Sequence, residues 1–141
     1  WVKNDLPDNP IGSVDQVNNW GNCVIIATYE QCFIELSHFS QDSILVAVGE
    51  WVTAGQHLGL CGNSGYSPQP HIHVQKQATA NLGSATLPFK FTSFVADNTY
   101  IASGLPQEQQ TISPLMADDY YRQITTFVLD KTLQYHVIDN G

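Results

Sequence analysis

The chain has 141 residues, is 43% hydrophobic and carries a formal net charge of −8 with only five Lys and Arg. This length and composition suit one ordinary domain, or one domain plus part of another, and exclude a disordered chain. The acidic charge disfavours a nucleic-acid partner. No apolar run reaches the roughly 20 residues of a membrane-spanning helix, so we expect no transmembrane segment.

The first part of the chain predicts a β-hairpin. A polar loop over residues 4–20 precedes two apolar segments, Cys23–Thr28 and Cys32–Phe39, which predict antiparallel strands joined by a short turn. In the second strand His38 has the same parity as Leu36. Because side chains alternate between the faces of a strand, His38 is predicted to lie on the face of Leu36.

The middle of the chain predicts three more short strands. They cover Ile44–Val48, His57–Cys61 and His71–Gln75, with a turn-rich loop over Gly62–Pro70 before the last one. No convincing amphipathic helix interrupts the series. The predicted fold is therefore all-β, an antiparallel sheet or a folded barrel.

The remainder of the chain is less regular in sequence. Residues 78–86 predict a loop, and Leu87–Thr92 predicts an edge segment because Pro88 cannot donate to a strand ladder. Residues 96–119 predict irregular structure, while Gln123–Asp130 and Thr132–Asp139 could pair as a hairpin. We expect a core over residues 1–95 and a C-terminal extension over 96–141.

Three cysteines, Cys23, Cys32 and Cys61, cannot all pair within one chain, and their spacing matches no zinc-binding or redox motif. We interpret them as small buried residues, and one disulfide could form without being required.

The segment His71-Ile72-His73 carries the clearest sign of chemistry. In a strand, the two imidazoles point to one side, which would suit a metal site in which one His binds the metal and the other acts on a substrate. An isolated His-x-His is more often a pair of surface or hydrogen-bonded histidines. The neighbouring sequence has to decide between these interpretations.

Five segments occur in a fixed order around this pair. They are Gly21-Asn22-x-Val24-x-Ile26, Ser37-His38-Phe39, Val48-Gly49-x-x-Val52-x-x-Gly55-Gln56-x-Leu58-Gly59, Gly62-Asn63-Ser64-Gly65 and Pro70-His71-Ile72-His73. This order resembles the M23 (LytM/lysostaphin-like, β-lytic) zinc metallopeptidases, which cut peptide cross-links of bacterial peptidoglycan. The resemblance covers about residues 1 to 92.

The resemblance implies a role for three of the five histidines. His73 matches the zinc ligand, and His71 and His38 match the catalytic histidines that divide proton transfer and oxyanion stabilisation between them. A zinc cofactor would activate water and polarise the scissile carbonyl. The loop expected to border the substrate groove contains Asn63, Ser64 and Gly65.

One part of the family pattern is missing. The family takes two further zinc ligands from a His-x-x-x-Asp motif upstream of the Gly-Asn strand, but no His precedes His38, and we interpret the spacing from His38 to Asp42 as coincidental. We expect that the sequence begins after the motif, because Trp1-Val2 resembles an interrupted strand. The alternative is a homologue that has lost it. In either case this chain supplies one zinc ligand, and we expect weak zinc binding or none.

The other candidate ligands have simpler interpretations. His57 and His136 are predicted to be surface or packing residues, and the acidic residues of the first loop are predicted to be solvated; these are Asp5, Asp8 and Asp15.

The expected function is a zinc-dependent endopeptidase acting on peptidoglycan in the periplasm or outside a bacterial cell. A non-catalytic LytM-like module that binds cell wall or regulates a partner hydrolase is the alternative. A biotinyl or lipoyl carrier is disfavoured, because none of the four lysines lies at the hairpin tip that such a carrier needs.

Overall fold

The structure is a computed structural model that describes residues 1–115. The chain forms two compact units, Trp1–Phe89 and a second unit that begins at Lys90. The hairpin predicted near the C-terminus and His136 lie outside the described residues. The boundary predicted after residue 95, between the core and the C-terminal extension, stays a prediction.

The first unit is built on a five-stranded antiparallel sheet whose strands lie in sequence order. The strands are β1 (Val2–Lys3), β2 (Asn22–Ala27), β3 (Phe33–Phe39), β4 (His73–Gln77) and β5 (Thr86–Leu87). This arrangement confirms the all-β prediction and the predicted hairpin of β2 with β3. Within residues 1–115 there is no helix that could cross a membrane.

The two faces of this sheet differ in chemistry. One face carries the hydrophobic core, in which Val24 and Phe39 pack with Ile44 and Val46 from the connection between β3 and β4. The opposite face carries a group of mostly buried polar side chains. These side chains project from β2, β3 and β4 at positions that lie side by side in the strand register. They include Cys23, Glu35, Ser37, His73, Gln75 and Gln77.

The predicted strands at Ile44–Val48 and His57–Cys61 are wrong, because neither segment forms a ladder. The alternation itself was informative, since Ile44 and Val46 are buried while Leu45 is exposed. The backbone groups bond elsewhere. The amide of Ile44 donates to the Asn4 side chain, and the amide of Leu45 donates to the carbonyl of Leu58.

The predicted start of the His71–Gln75 strand is also wrong. Strand β4 begins at His73, so His71 lies in the loop before it and its position does not follow from strand alternation. Its backbone amide donates to the carbonyl of Gly62. The strand extends instead to Gln77, because Gln77 pairs with both Phe33 and Thr86.

The second unit corrects the prediction of irregular structure after residue 96. It contains a three-stranded antiparallel sheet in the order β7-β6-β8, built from β6 (Phe91–Ala96), β7 (Thr99–Gly104) and β8 (Ile112–Pro114). Asp97 and Asn98 both have positive φ, as a two-residue hairpin turn requires. The Asp-Asn pair was the turn signal that the sequence interpretation missed.

The cysteines are all free thiols. Cys23 and Cys32 are buried, as predicted, but the prediction is wrong for Cys61, which is exposed. The backbone of Cys61 forms an isolated β-bridge with Phe39, the last residue of β3.

Candidate functional site

Three of the predicted site residues, His38, His71 and His73, come together at the polar face of the first sheet. The ring centroids of His38 and His71 lie 4.7 Å apart, and those of His38 and His73 lie 6.3 Å apart. The ring of Trp20 lies 5.8 Å from that of His73. The cluster therefore joins the end of β3, the start of β4 and the loop that precedes β4.

His38 reaches this cluster through a β-bulge. Asn22 pairs with Phe39 and Cys23 pairs with Ser37, so His38 is the extra residue, with a φ of 70°. The bulge reverses the alternation, and the prediction that His38 shares the face of Leu36 is wrong. Leu36 packs against the hydrophobic core, whereas His38 contacts His73, the register partner of Ser37.

The Gly-Asn and Gly-Asn-Ser-Gly motifs hold this bulge in place. The Ser64 hydroxyl accepts the backbone amide of Asn22 at 2.9 Å and donates to the Phe39 carbonyl at 2.7 Å. The fully buried Asn22 side chain accepts from the Leu6 amide and donates to the carbonyls of Leu6 and Phe39. Both motifs thus satisfy backbone groups that the bulge leaves unpaired.

Gly21 and Gly65 allow the two motifs to approach each other. Both have positive φ, and a Cβ atom on Gly65 would lie 2.7 Å from the carbonyl oxygen of Asn19. A Cβ on Gly21 would collide with the backbone of Ser64. Only glycine satisfies both the backbone conformation and the spacing at these positions.

The side chains of the predicted groove loop are mostly buried. Asn63 and Ser64 are buried, and the Asn63 side chain donates to the carbonyl of Asn9 and accepts from the Ser67 hydroxyl. Gly65 is buried beside Gly21. That this loop borders a substrate groove stays a prediction.

The imidazole of His38 has a defined tautomer. Its Nδ1 lies 2.8 Å from the carbonyl oxygen of Ser64, which can only accept, so Nδ1 carries the hydrogen and Nε2 the lone pair in the neutral ring. Burial lowers the pKa of His38 below its usual value of 6.5, and the nearby His71 and His73 add to this effect. His38 is therefore suited to accept a proton at Nε2.

His71 has the same tautomer as His38, but its side chain is more exposed. Its Nδ1 lies 2.9 Å from the carbonyl oxygen of Gln69 and 3.1 Å from the Ser67 hydroxyl. The carbonyl can only accept, so Nδ1 carries the hydrogen and Nε2 the lone pair. His71 is exposed, which lets a substrate reach it.

His73 is bonded through the opposite ring nitrogen. Its Nε2 lies 3.0 Å from Oε1 of Gln75, and the ring is half-buried beside Trp20. This contact directs Nε2 into the protein. Nδ1 is then the ring nitrogen suited to a metal ion.

The polar residues around His73 were missed by the sequence interpretation. Glu35 is fully buried and accepts the Ser37 hydroxyl at 2.8 Å. Burial raises the pKa of the Glu35 carboxyl, although the Ser37 hydrogen bond opposes this shift. The pattern His73-x-Gln75-x-Gln77 was the available signal, because it places three polar side chains on one strand face.

The described residues do not complete a metal site. Among residues 1–115, no group of three or more His, Cys, Asp or Glu side chains could hold a metal ion, whereas a catalytic zinc needs three protein ligands. Of the loop carboxylates, Asp8 has a structural role. Its carboxylate accepts hydrogen bonds from the Ser40 hydroxyl at 2.7 Å and from the backbone amide of Asn63 at 2.6 Å.

The remaining candidates are also accounted for. Asp15 accepts the backbone amides of Val17 and Asn18, which closes a local turn. His57 is exposed, as predicted, and its Nε2 lies 2.9 Å from the carbonyl oxygen of Gly59.

Comparison with known proteins places this histidine cluster in a family. The model of Peptidase family M23 matches residues 11–83, which contain the bulge, both motifs and all three histidines. The chain belongs to peptidase family M23. The resemblance seen in the sequence is thereby confirmed.

Two curated relatives illustrate the similarity to the M23 family. Glycyl-glycine endopeptidase ALE-1 of Staphylococcus capitis is 32% identical over 78 residues, which are 53% of this chain and 20% of the relative. Lysostaphin of Staphylococcus simulans is 36% identical over 64 residues, 43% of this chain and 12% of the relative. The chain thus spans a fifth or less of these relatives. No solved structure gave a significant match.

Proposed function

We propose that the protein is a zinc-dependent endopeptidase that cleaves peptide cross-links of bacterial peptidoglycan. Membership of the M23 family and similarity to a protein named as a glycyl-glycine endopeptidase support the peptidase activity and this class of substrate. The observation that carries the proposal is the cluster of His38, His71 and His73, in which each ring has one nitrogen bonded to the protein.

His73 is the proposed metal ligand of this chain. Its Nε2 is bonded to Gln75, so Nδ1 would face the metal. The other ligands of a catalytic zinc would come from outside the described residues, because those residues contain no three-ligand cluster. A bound zinc ion would supply an activated water and polarise the scissile carbonyl.

His38 and His71 are the proposed proton carriers. Both hold their Nδ1 hydrogen against a backbone carbonyl, so each neutral ring accepts a proton only at Nε2. Their ring centroids lie 4.7 Å apart, and a charge on His71 contributes to lowering the pKa of His38. In the proposed reaction this pair accepts a proton from water and returns it to the leaving amine.

A second candidate is a non-catalytic module of the same family that binds cell wall or regulates a partner hydrolase. The absence of a three-ligand cluster among residues 1–115 favours it. Either function would place the protein in the periplasm or outside the cell, where peptidoglycan is accessible.

The test is hydrolysis of purified peptidoglycan by the full-length protein, with and without a chelator, for wild type, His73→Ala and His57→Ala. The exposed His57 is the matched control. Activity that disappears with chelator and with His73→Ala, returns on adding zinc, and persists in His57→Ala supports the enzyme. Activity that survives both treatments would refute the zinc mechanism, and binding without hydrolysis would support the second candidate.

A further inference from the structure

The side chains of His73, Gln75 and Gln77 form a continuous line of hydrogen bonds along one face of β4. His73 Nε2 lies 3.0 Å from Gln75 Oε1, and Gln75 Nε2 lies 2.7 Å from Gln77 Oε1. Gln77 Nε2 then donates to the carbonyls of Thr79 and Asn81 at 2.8 and 3.1 Å. The line thus joins the His73 ring to the backbone of the loop after β4.

The backbone carbonyls of the loop after β4 determine which atom donates in each hydrogen bond of this line. The carbonyls of Thr79 and Asn81 can only accept, so the amide nitrogen of Gln77 must face them. Gln77 Oε1 then faces β4 and requires a donor, which is the amide nitrogen of Gln75. Gln75 Oε1 is left facing His73, so His73 Nε2 must carry a hydrogen.

Burial makes the reverse arrangement costly. Gln77 is fully buried and Gln75 is 7% exposed, so water cannot replace a lost bond. Turning the Gln75 amide around would place its oxygen against Gln77 Oε1 and beside Glu35 Oε2, which lies 3.4 Å from the Gln75 amide nitrogen. Two acceptors would then face each other without a hydrogen between them.

We propose that the loop after β4, acting through Gln77 and Gln75, holds His73 in the Nε2–H tautomer and leaves the lone pair on Nδ1. In a neutral imidazole one ring nitrogen carries the hydrogen and the other carries the lone pair. A hydrogen held on Nε2 therefore leaves the lone pair on Nδ1. Gln75 and Gln77 are positioning residues, because they would act on a bound metal only through His73. The metal-binding part rests on the proposed function, whereas the tautomer does not.

The direct test is the ¹⁵N spectrum of the histidine rings in the full-length protein at a pH where the rings are neutral. Long-range ¹H–¹⁵N correlations distinguish the two tautomers, and His73→Asn identifies the His73 signals. We expect Nε2–H for His73 and Nδ1–H for His38 and His71, which serve as internal references. An Nδ1–H signal for His73 would refute the proposal.

A variant at Gln77 tests the action of the loop. Gln77→Leu removes the link to the loop without touching the His73 ring, and it should convert His73 to a mixture of tautomers. Lys76→Met on the same strand is the control, because the Lys76 side chain pairs with Glu30 instead and the His73 spectrum should stay unchanged. A folded Gln77→Leu protein in which His73 stays fully Nε2–H would contradict the proposed role of the loop.

The wild-type spectrum decides the tautomer even if Gln77→Leu fails to fold. It also separates this proposal from the proposed function. An active peptidase whose His73 carries Nδ1–H would refute the positioning role alone. An inactive full-length protein with His73 as Nε2–H would refute the peptidase and leave the tautomer assignment intact.

Discussion

The backbone carbonyl of Ser64 accepts the Nδ1 hydrogen of His38 at 2.8 Å, across 26 residues of sequence. The Ser64 hydroxyl also bridges the Asn22 amide and the Phe39 carbonyl on either side of the bulge. One residue therefore orients the His38 ring and secures the backbone that carries it. The Gly62–Gly65 motif, which the resemblance assigns to the edge of a substrate groove, also has a structural role at the site.

The close packing of Gly65 on Gly21 predicts a large cost for adding a methyl group. Gly65→Ala should lower the free energy of unfolding by about 3 kcal/mol, because it combines positive φ with a collision against Gly21. Urea unfolding followed by tryptophan fluorescence measures this, since Trp1, Trp20 and Trp51 all lie in the first unit.

Gly12→Ala is the control for backbone conformation alone. Gly12 also has positive φ, but a Cβ there meets no atom within 4 Å, so the cost should be about 1 kcal/mol. Equal losses in the two variants would show that the motif packing contributes nothing.

The positive φ of His38 predicts a difference between two substitutions that both remove its ring. His38→Gly should be more stable than His38→Ala by about 1 kcal/mol, because glycine adopts the left-handed conformation without strain. Both variants should lose peptidase activity by about a hundredfold or more. An alanine variant as stable as the glycine variant would show that the bulge carries no backbone strain.

The lowered pKa of His38 predicts loss of stability in mild acid. The folded chain resists protonating His38, whereas the unfolded chain takes up the proton near the usual pKa of 6.5. The contribution to stability is therefore complete above pH 6.5 and is lost as the pH falls toward the folded pKa. The free energy of unfolding, measured by urea titration at pH 7.5 and 5.5, should fall more for wild type than for His38→Gly. An equal fall in both would mean that burial of His38 does not control this range.

The cysteines should differ sharply in reactivity. Burial raises the pKa of the Cys23 thiol to about 12, and its side chain has no exposed surface, whereas Cys61 is exposed. Iodoacetamide at pH 8 should label Cys61 in the native protein and leave Cys23 unmodified, because the thiolate is the reacting form. Peptide mass spectrometry locates the label, and rapid native labelling of Cys23 would contradict the buried position of this thiol.

The sequence predicted the features that depend on local pattern. The hairpin of β2 and β3, the all-β class and membership of the M23 family all follow from short motifs. The bulge at His38 was not predicted, because its cause lies in Ser64 and Asn22, which are distant in sequence. Alternation alone cannot show an added residue that reverses it.

The wrong prediction of a strand at Ile44–Val48 has a related cause. The apolar alternation at Ile44–Val48 indicated which side chains are buried, but it could not show where the backbone bonds go. Asn4 and Leu58 take those bonds singly, so the segment packs like a strand without pairing like one. The line of Gln75 and Gln77 was visible in the sequence as polar residues on one face, yet only the loop carbonyls give it a direction.

Hydrolysis of peptide cross-links is the activity that we propose for the histidine cluster. The most direct measurement is the number of new α-amino groups released from purified peptidoglycan by the full-length protein, compared with His71→Ala. We expect steady release over many turnovers by the wild type and a rate at least about a hundredfold lower for the variant. Wild-type protein that binds the peptidoglycan but releases no new amino groups would contradict the proposed hydrolysis.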